Sequence, residues 1–192
     1  MKYKMSTTNH QQSFIRSFYI VSKGKFITLY LATFGLYGFY WCYKNWWGFK
    51  KNNQLSIWLF PRALLDILFF PSLIKRMVAS LDPELRVSYL KEMGWLASQY
   101  IGFVLLGRVG DRLSQQSIGL PSSFYLSMIS LPFACRALYL LQKLINDIMG
   151  DTKGISNSRL SWINIFWISA GLVYWLTVLI PQCLRHTLIP YS

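Results

Sequence analysis

Residues Phe26–Trp47 read FITLYLATFGLYGFYWCYKNWW, an apolar run that closes in a dense band of Trp, Tyr and Lys. Amphipathic rings settle at headgroup depth in a bilayer, and lysines reach past them for phosphate and water. The pattern therefore predicts a membrane segment with an interfacial anchor built from Tyr37, Tyr40, Trp41, Tyr43, Lys44, Trp46 and Trp47. The same rings lining a pocket is the competing reading, and the belt is preferred.

Composition points the same way. Of 192 residues 53% are apolar and only 14% are charged, against roughly a quarter in soluble domains. A soluble core would need more polar surface than these runs leave available. The expectation is one integral-membrane domain over 1–192, all-α, a polytopic transmembrane helical bundle of four or five spans with a basic polar tail at 1–25.

The net charge is +13. Lys2, Lys4, Arg16, Lys23, Lys25, Lys44, Lys50 and Lys51 precede the first acid in the chain. Grooves that track nucleic acid interleave basic residues with polar surface, whereas here the intervening residues are lipid-like, which excludes a nucleic-acid partner. Attraction to anionic headgroups, about 1 kcal/mol per Lys or Arg near the surface, accounts for the same charges. Membrane lipids, anionic ones first, are the expected partners.

Five apolar runs are candidate spans. Phe26–Tyr43 is eighteen residues long, roughly 27 Å as a helix, and barely crosses a core of about 30 Å, so it is either a span or a re-entrant element. The second, about 55–74, carries Pro61, Arg62, Asp66 and Pro71. Asp82-Pro83-Glu84 has the N-cap, first-turn proline and dipole-matched acid of a helix start, leading into a third run that ends before Arg108. Ser114–Ser123, with Gly119 and Pro121, reads as a turn. A fourth run, 124–141, continues as helix past Ile145 until Gly150 and Gly154 break it, and the fifth, 162–180, has no charge. Five spans with a cytoplasmic N-terminus leave twelve Lys and Arg inside and six outside. A re-entrant first segment gives eleven and seven, and so small a change leaves both topologies open.

Cys42, Cys135 and Cys183 have no CxxC or metal-ligand spacing, and an odd number in apolar runs reads as buried thiols. His10 and His186 lack partners. No paired carboxylates, Ser/His/Asp set, phosphate loop or HExxH motif appears, so no catalytic, cofactor or metal residue is assigned. The sharpest constellation is Arg62, Asp66 and Arg136. Arg62 and Asp66 are four apart and share a helix face. If the second and fourth runs pack together, Asp66 sits between two guanidinium groups and the surplus charge suits an anionic ligand. The structural alternative, in which the charges only orient helices, is preferred.

Lys25-Phe26 followed by Thr33-x-Gly35-x-Tyr37-x-x-Tyr40-Trp41-x-Tyr43-Lys44-x-Trp46 resembles the signature of a family of small bacterial inner-membrane proteins, a domain-of-unknown-function group marked by Thr-Gly-Tyr-Tyr-Trp. Pro61-Arg62-Ala63, the Asn146 region, and Asn157-Ser158 leading into Trp162-x-Asn164 and Trp175 are similar to its later landmarks. The resemblance implies a bacterial inner-membrane location and a helical fold, and no activity. The function expected is that of an accessory or interaction protein engaging lipid, a membrane partner or a second copy. A small transporter or channel component using the Arg/Asp cluster is the alternative, and a lipid-modifying enzyme a further one.

Overall fold

The structure, a computed structural model, describes residues 18–53, 66–81 and 83–188. The tail with His10, Arg62 and Asp82 lie outside the described residues, as do the side chains of Asp66, Cys183 and His186. The described chain is all-helical: α1 (Lys23–Ala32), α2 (Leu36–Asn53), α3 (Asp66–Ala79), α4 (Pro83–Gln115), α5 (Ser122–Ile148) and α6 (Trp162–Leu188), with one 3-10 turn, Ile155–Asn157. Cys42 and Cys135 are buried free thiols.

Three long antiparallel helices form the frame. α4 starts at Pro83 with Glu84 in its first turn, where an acid matches the helix dipole. It runs 33 residues, about 50 Å, and reverses into α5 through a turn in which Ser117 and Gly119 take positive φ. Small side chains let these two helices approach closely. A Cβ on Gly110 would stand 2.8 Å from the Ser127 nitrogen and 2.9 Å from the Ser123 carbonyl. α5 ends at Gly150, and α6 returns after the 151–161 loop. Among the described residues α5 alone is long and apolar enough to cross a bilayer, while α6 contains a shorter apolar run, Trp162–Val178.

The expected first span, Phe26–Tyr43, is not one helix. It breaks at Thr33-Phe34-Gly35, where Phe34 has φ 52° and Gly35 φ 82°. Left-handed backbone is costly for L side chains other than Gly, so two successive residues there end α1 outright. The Thr33 hydroxyl donates to the Leu29 carbonyl (2.7 Å) and accepts from the Tyr37 N–H (3.0 Å), stitching the bend. The chain then doubles back: the Tyr19 N–H donates to Asn45 Oδ1 at 3.2 Å, and the Phe18 and Phe49 rings lie 5.7 Å apart. α1 and α2 thus make a hairpin whose start, at Ser22 and Lys25, is bonded to Asn157 and whose return passes Tyr19 at Asn45.

The hairpin tip docks against the middle of α6. Phe34 stacks on Trp175 at 4.0 Å and meets Tyr174 edge-on at 4.8 Å, while Trp175 Nε1 donates to the Leu31 carbonyl (3.0 Å). Gly171 makes this approach possible, because any Cβ there would overlap the Ala32 carbonyl.

Of the expected second span, 55–74, residues 55–65 lie outside the described residues and the remainder belongs to α3. Trp41 stacks on Phe70 at 5.8 Å, and farther along both helices the Arg76 guanidinium lies 6.0 Å over Trp46. α2 and α3 therefore run in the same direction and finish at the same end.

Replacing Gly171 by Val is expected to undock the hairpin and cost about 1–3 kcal/mol. Gly102→Ala on α4, where a Cβ meets nothing within 4 Å, should raise stability by up to about 1 kcal/mol through helix propensity. Thermal unfolding of both variants in the same detergent checks the contrast.

Candidate functional site

Residues 18–22 precede α1 without helical bonds, so their backbone polar groups need partners elsewhere, and an unpaired buried one is costly. Four amide side chains supply them. Gln142 Nε2 donates to the Tyr19 carbonyl (2.9 Å), Asn157 Nδ2 to the Ile20 carbonyl (2.7 Å) and Asn146 Nδ2 to the Val21 carbonyl (2.9 Å), while Asn45 accepts from Tyr19. Gln142 also accepts from Trp41 Nε1 and donates to Asn146 Oδ1, and Asn45 Nδ2 donates to the Trp41 carbonyl. Gln142, Asn146 and Asn45 are fully buried. A network in which each amide uses both ends fixes one register.

The clasp sets the mouth of a cavity of about 540 Å³ enclosed by the hairpin and the start of α6. Tyr19, Tyr37, Tyr40, Lys25 and Lys44 line one side, and Asn157, Ser161, Asn164, Ile163 and Trp167 the other. Lys25 Nζ donates to Asn157 Oδ1 (2.6 Å) and to the Arg159 carbonyl (2.8 Å). The Tyr19 and Tyr37 hydroxyls pair at 3.1 Å, and burial pushes the Tyr19 phenol above its usual range, keeping it protonated. Lys44 Nζ stands 5.6 Å over Tyr40 and 5.7 Å over Trp47. Among the described residues no carboxylate lines this cavity.

A second cavity, about 410 Å³, lies on the other side of the hairpin tip. Tyr30, Phe34 and Tyr100 form its apolar wall, and Arg108, Asp111 and Gln115 line its end near the α4–α5 turn. Asp111 accepts a short hydrogen bond from the Ser127 hydroxyl. Leu36 lines both cavities.

The expected aromatic anchor divides between two faces. Tyr37, Trp41 and Trp46 are buried in the core, whereas Tyr40, Tyr43 and Trp47 are exposed and Lys44 is half-buried. Helical periodicity explains the split: residues four apart, such as 37 and 41, share a face. Of the charge cluster, Arg136 is exposed on α5, and α3 and α5 each pack chiefly against α4. Arg62 and the Asp66 side chain lie outside the described residues. The buried amides Asn45 and Gln142 were invisible to a search for charges. Their signal is an uncharged polar residue on the apolar face of a helix, Asn45 in line with Trp41 and Phe49 and Gln142 with Leu138 and Ile145.

Gln142→Leu should orphan the Trp41 N–H and the Tyr19 carbonyl and cost roughly 2–5 kcal/mol, read as a fall in detergent-solution unfolding temperature. In the neighbouring loop Asp151 accepts from the Ile155 N–H (3.0 Å) and the Ser156 N–H (2.9 Å), and the bonds to Ser156 hold its carboxyl below the usual range. A lowered folded value means that this contribution is complete above the unfolded carboxylate pKa of about 3.9 and is lost as pH falls through the folded one. Amide exchange at 155 and 156, corrected for intrinsic rate, is therefore expected to stay slow from neutral pH to about pH 5 and to accelerate below about pH 4. Asp151→Asn should abolish that dependence. No protein-family model, curated protein or solved structure matches the chain.

Proposed function

We propose that this is an integral-membrane accessory protein that engages anionic lipid through one basic face, with α5, the one described helix of sufficient length and apolarity, crossing the bilayer, α4 and α6 crossing beside it, and the α1–α2 hairpin entering and returning. One observation carries the reading. Along α6, Trp162, Ile163, Phe166, Leu172, Val173 and Leu176 are all more than half exposed, a continuous apolar surface that water would penalise by about 25 cal/mol per Å². Lipid tails are the solvent that such a helix suits.

Charge placement supports it. Among the described residues, Lys23, Lys25, Lys44, Lys50, Lys51, Lys75, Arg76, Arg86, Lys91, Lys143, Lys153 and Arg159 gather toward the hairpin mouth, against Arg108 and Arg112 toward the α4–α5 turn and Arg136 midway along α5. The positive-inside rule makes the basic end cytoplasmic. The reading takes three crossings where hydropathy suggests four or five, supported by the reversal of the first run at Thr33-Phe34-Gly35 and by α3 running beside α2. A bacterial inner-membrane location and kinship with the Thr-Gly-Tyr-Tyr-Trp group belong to the same proposal, carried by the motif residues in α1 and α2.

A second reading has its own observation. Two cavities separated by one hairpin tip, with Leu36 lining both, have the layout of a small transporter or channel component with a septum at mid-depth.

The topology is tested by single cysteines at 50, 80 and 153 in a chain lacking Cys42, Cys135 and Cys183. All three are expected to react with an impermeant maleimide from the same side of sealed vesicles, and a cysteine at 117 from the other. Labelling of 50 and 153 from opposite sides would overturn the re-entrant arrangement.

A further inference from the structure

The cavity at the hairpin mouth is built as a donor-rich head with an apolar continuation. An ammonium has three N–H donors, and Lys25 uses two on Asn157 and the Arg159 carbonyl. Lys44 is held by ring faces, with no acid among the described residues lining the space to neutralise it. Asn164 Oδ1 accepts from the Ser161 N–H (3.0 Å) and hydroxyl (2.9 Å), which orients that amide with its NH₂ end as the remaining polar group. Leu29, Leu36, Ile163 and Trp167 complete the lining, and the last two belong to the exposed apolar face of α6.

We propose that this cavity binds the phosphate of an anionic glycerophospholipid, with the headgroup between Lys25 and Lys44 and an acyl chain leaving past Ile163 and Trp167. The proposal rests on the membrane reading above and assigns it a ligand. Two cations suit a phosphate monoanion or dianion through charge-assisted hydrogen bonds. A free phosphate has the same head chemistry but leaves Leu36, Ile163 and Trp167 uncovered. A bound lipid covers both halves.

The test uses the full chain in a non-ionic detergent, with lipid retention read by native mass spectrometry. One phosphatidylglycerol per chain is expected to survive at activation energies that strip phosphatidylcholine. Lys44→Gln should weaken retention about fivefold, the equivalent of about 1 kcal/mol for one lysine near a lipid phosphate. Lys44→Arg should restore it, and Lys51→Gln, on the same basic face but outside the cavity, should leave the one tightly held lipid unchanged, because the attraction of that face to a whole bilayer surface does not act in detergent. Equal losses in Lys44→Gln and Lys51→Gln would mean diffuse adsorption to the basic face and overturn the site. Displacement of the lipid by inorganic phosphate at equal concentration would make the ligand a free anion and overturn the lipid assignment. An unchanged unfolding temperature in Lys44→Gln shows that its loss is not misfolding, and the Lys44→Arg comparison decides the case if that temperature falls. Retention of the chain in membranes after alkaline washing, together with no selectivity at Lys44, sinks this inference alone; release by the wash sinks the membrane reading itself.

Discussion

Backbone polar groups that no helix satisfies must be paired by something else, and residues 19–21 are paired by side-chain amides from three separate parts of the chain. Asn45 comes from α2, Gln142 and Asn146 from α5, and Asn157 from the loop before α6. That clasp anchors the segment from which α1 departs. It thereby sets where the hairpin enters, which face of α1 meets α6, and the shape of the cavity between them. Buried amides are costly when half-satisfied and specific when complete, so the register of the whole basic end follows from four residues.

The hairpin reaches the middle of α6 and stops. α1 has only ten residues, about 15 Å of helix, and the positive φ of Phe34 and Gly35 turns the chain before it passes Trp175. The glycine at 171 admits the backbone of residue 32 against α6. Depth is thus decided by a bend and a gap, one on each partner. The tip separates a cavity lined by lysines from one lined by Arg108 and Asp111, so the same element that seals the basic end also divides the interior.

This arrangement changes what the charges mean. Read as separate spans, the runs at 26–43 and 55–74 distribute lysines across both faces. With α1 and α2 as a hairpin and α3 parallel to α2, the proposed topology puts Lys44, Lys50, Lys51, Lys75 and Arg76 on the side of Lys25 and Lys153. The proposed attraction to anionic headgroups then acts on one surface, where individual contributions of about 1 kcal/mol accumulate.

By itself the sequence determined that the chain is helical and apolar, where α4 and α6 begin, and where turns fall, because Pro83, Gly119, Gly150, Gly154 and the charge-free run from Trp162 act locally. It singled out Tyr37, Tyr40 and Lys44 only as part of one interfacial band with Trp41, Tyr43, Trp46 and Trp47, and gave Lys25 no place in it. Only the tertiary structure decided that Thr33-Phe34-Gly35 reverses the chain, that half of the aromatic band is core, and that α2 and α3 point the same way. The reason is physical. Hydropathy measures how much surface a segment must hide and is blind to what hides it, whereas a hairpin and a span of equal apolarity differ only in which distant groups, here Asn45, Gln142, Gly171 and Trp175, stand ready to receive them.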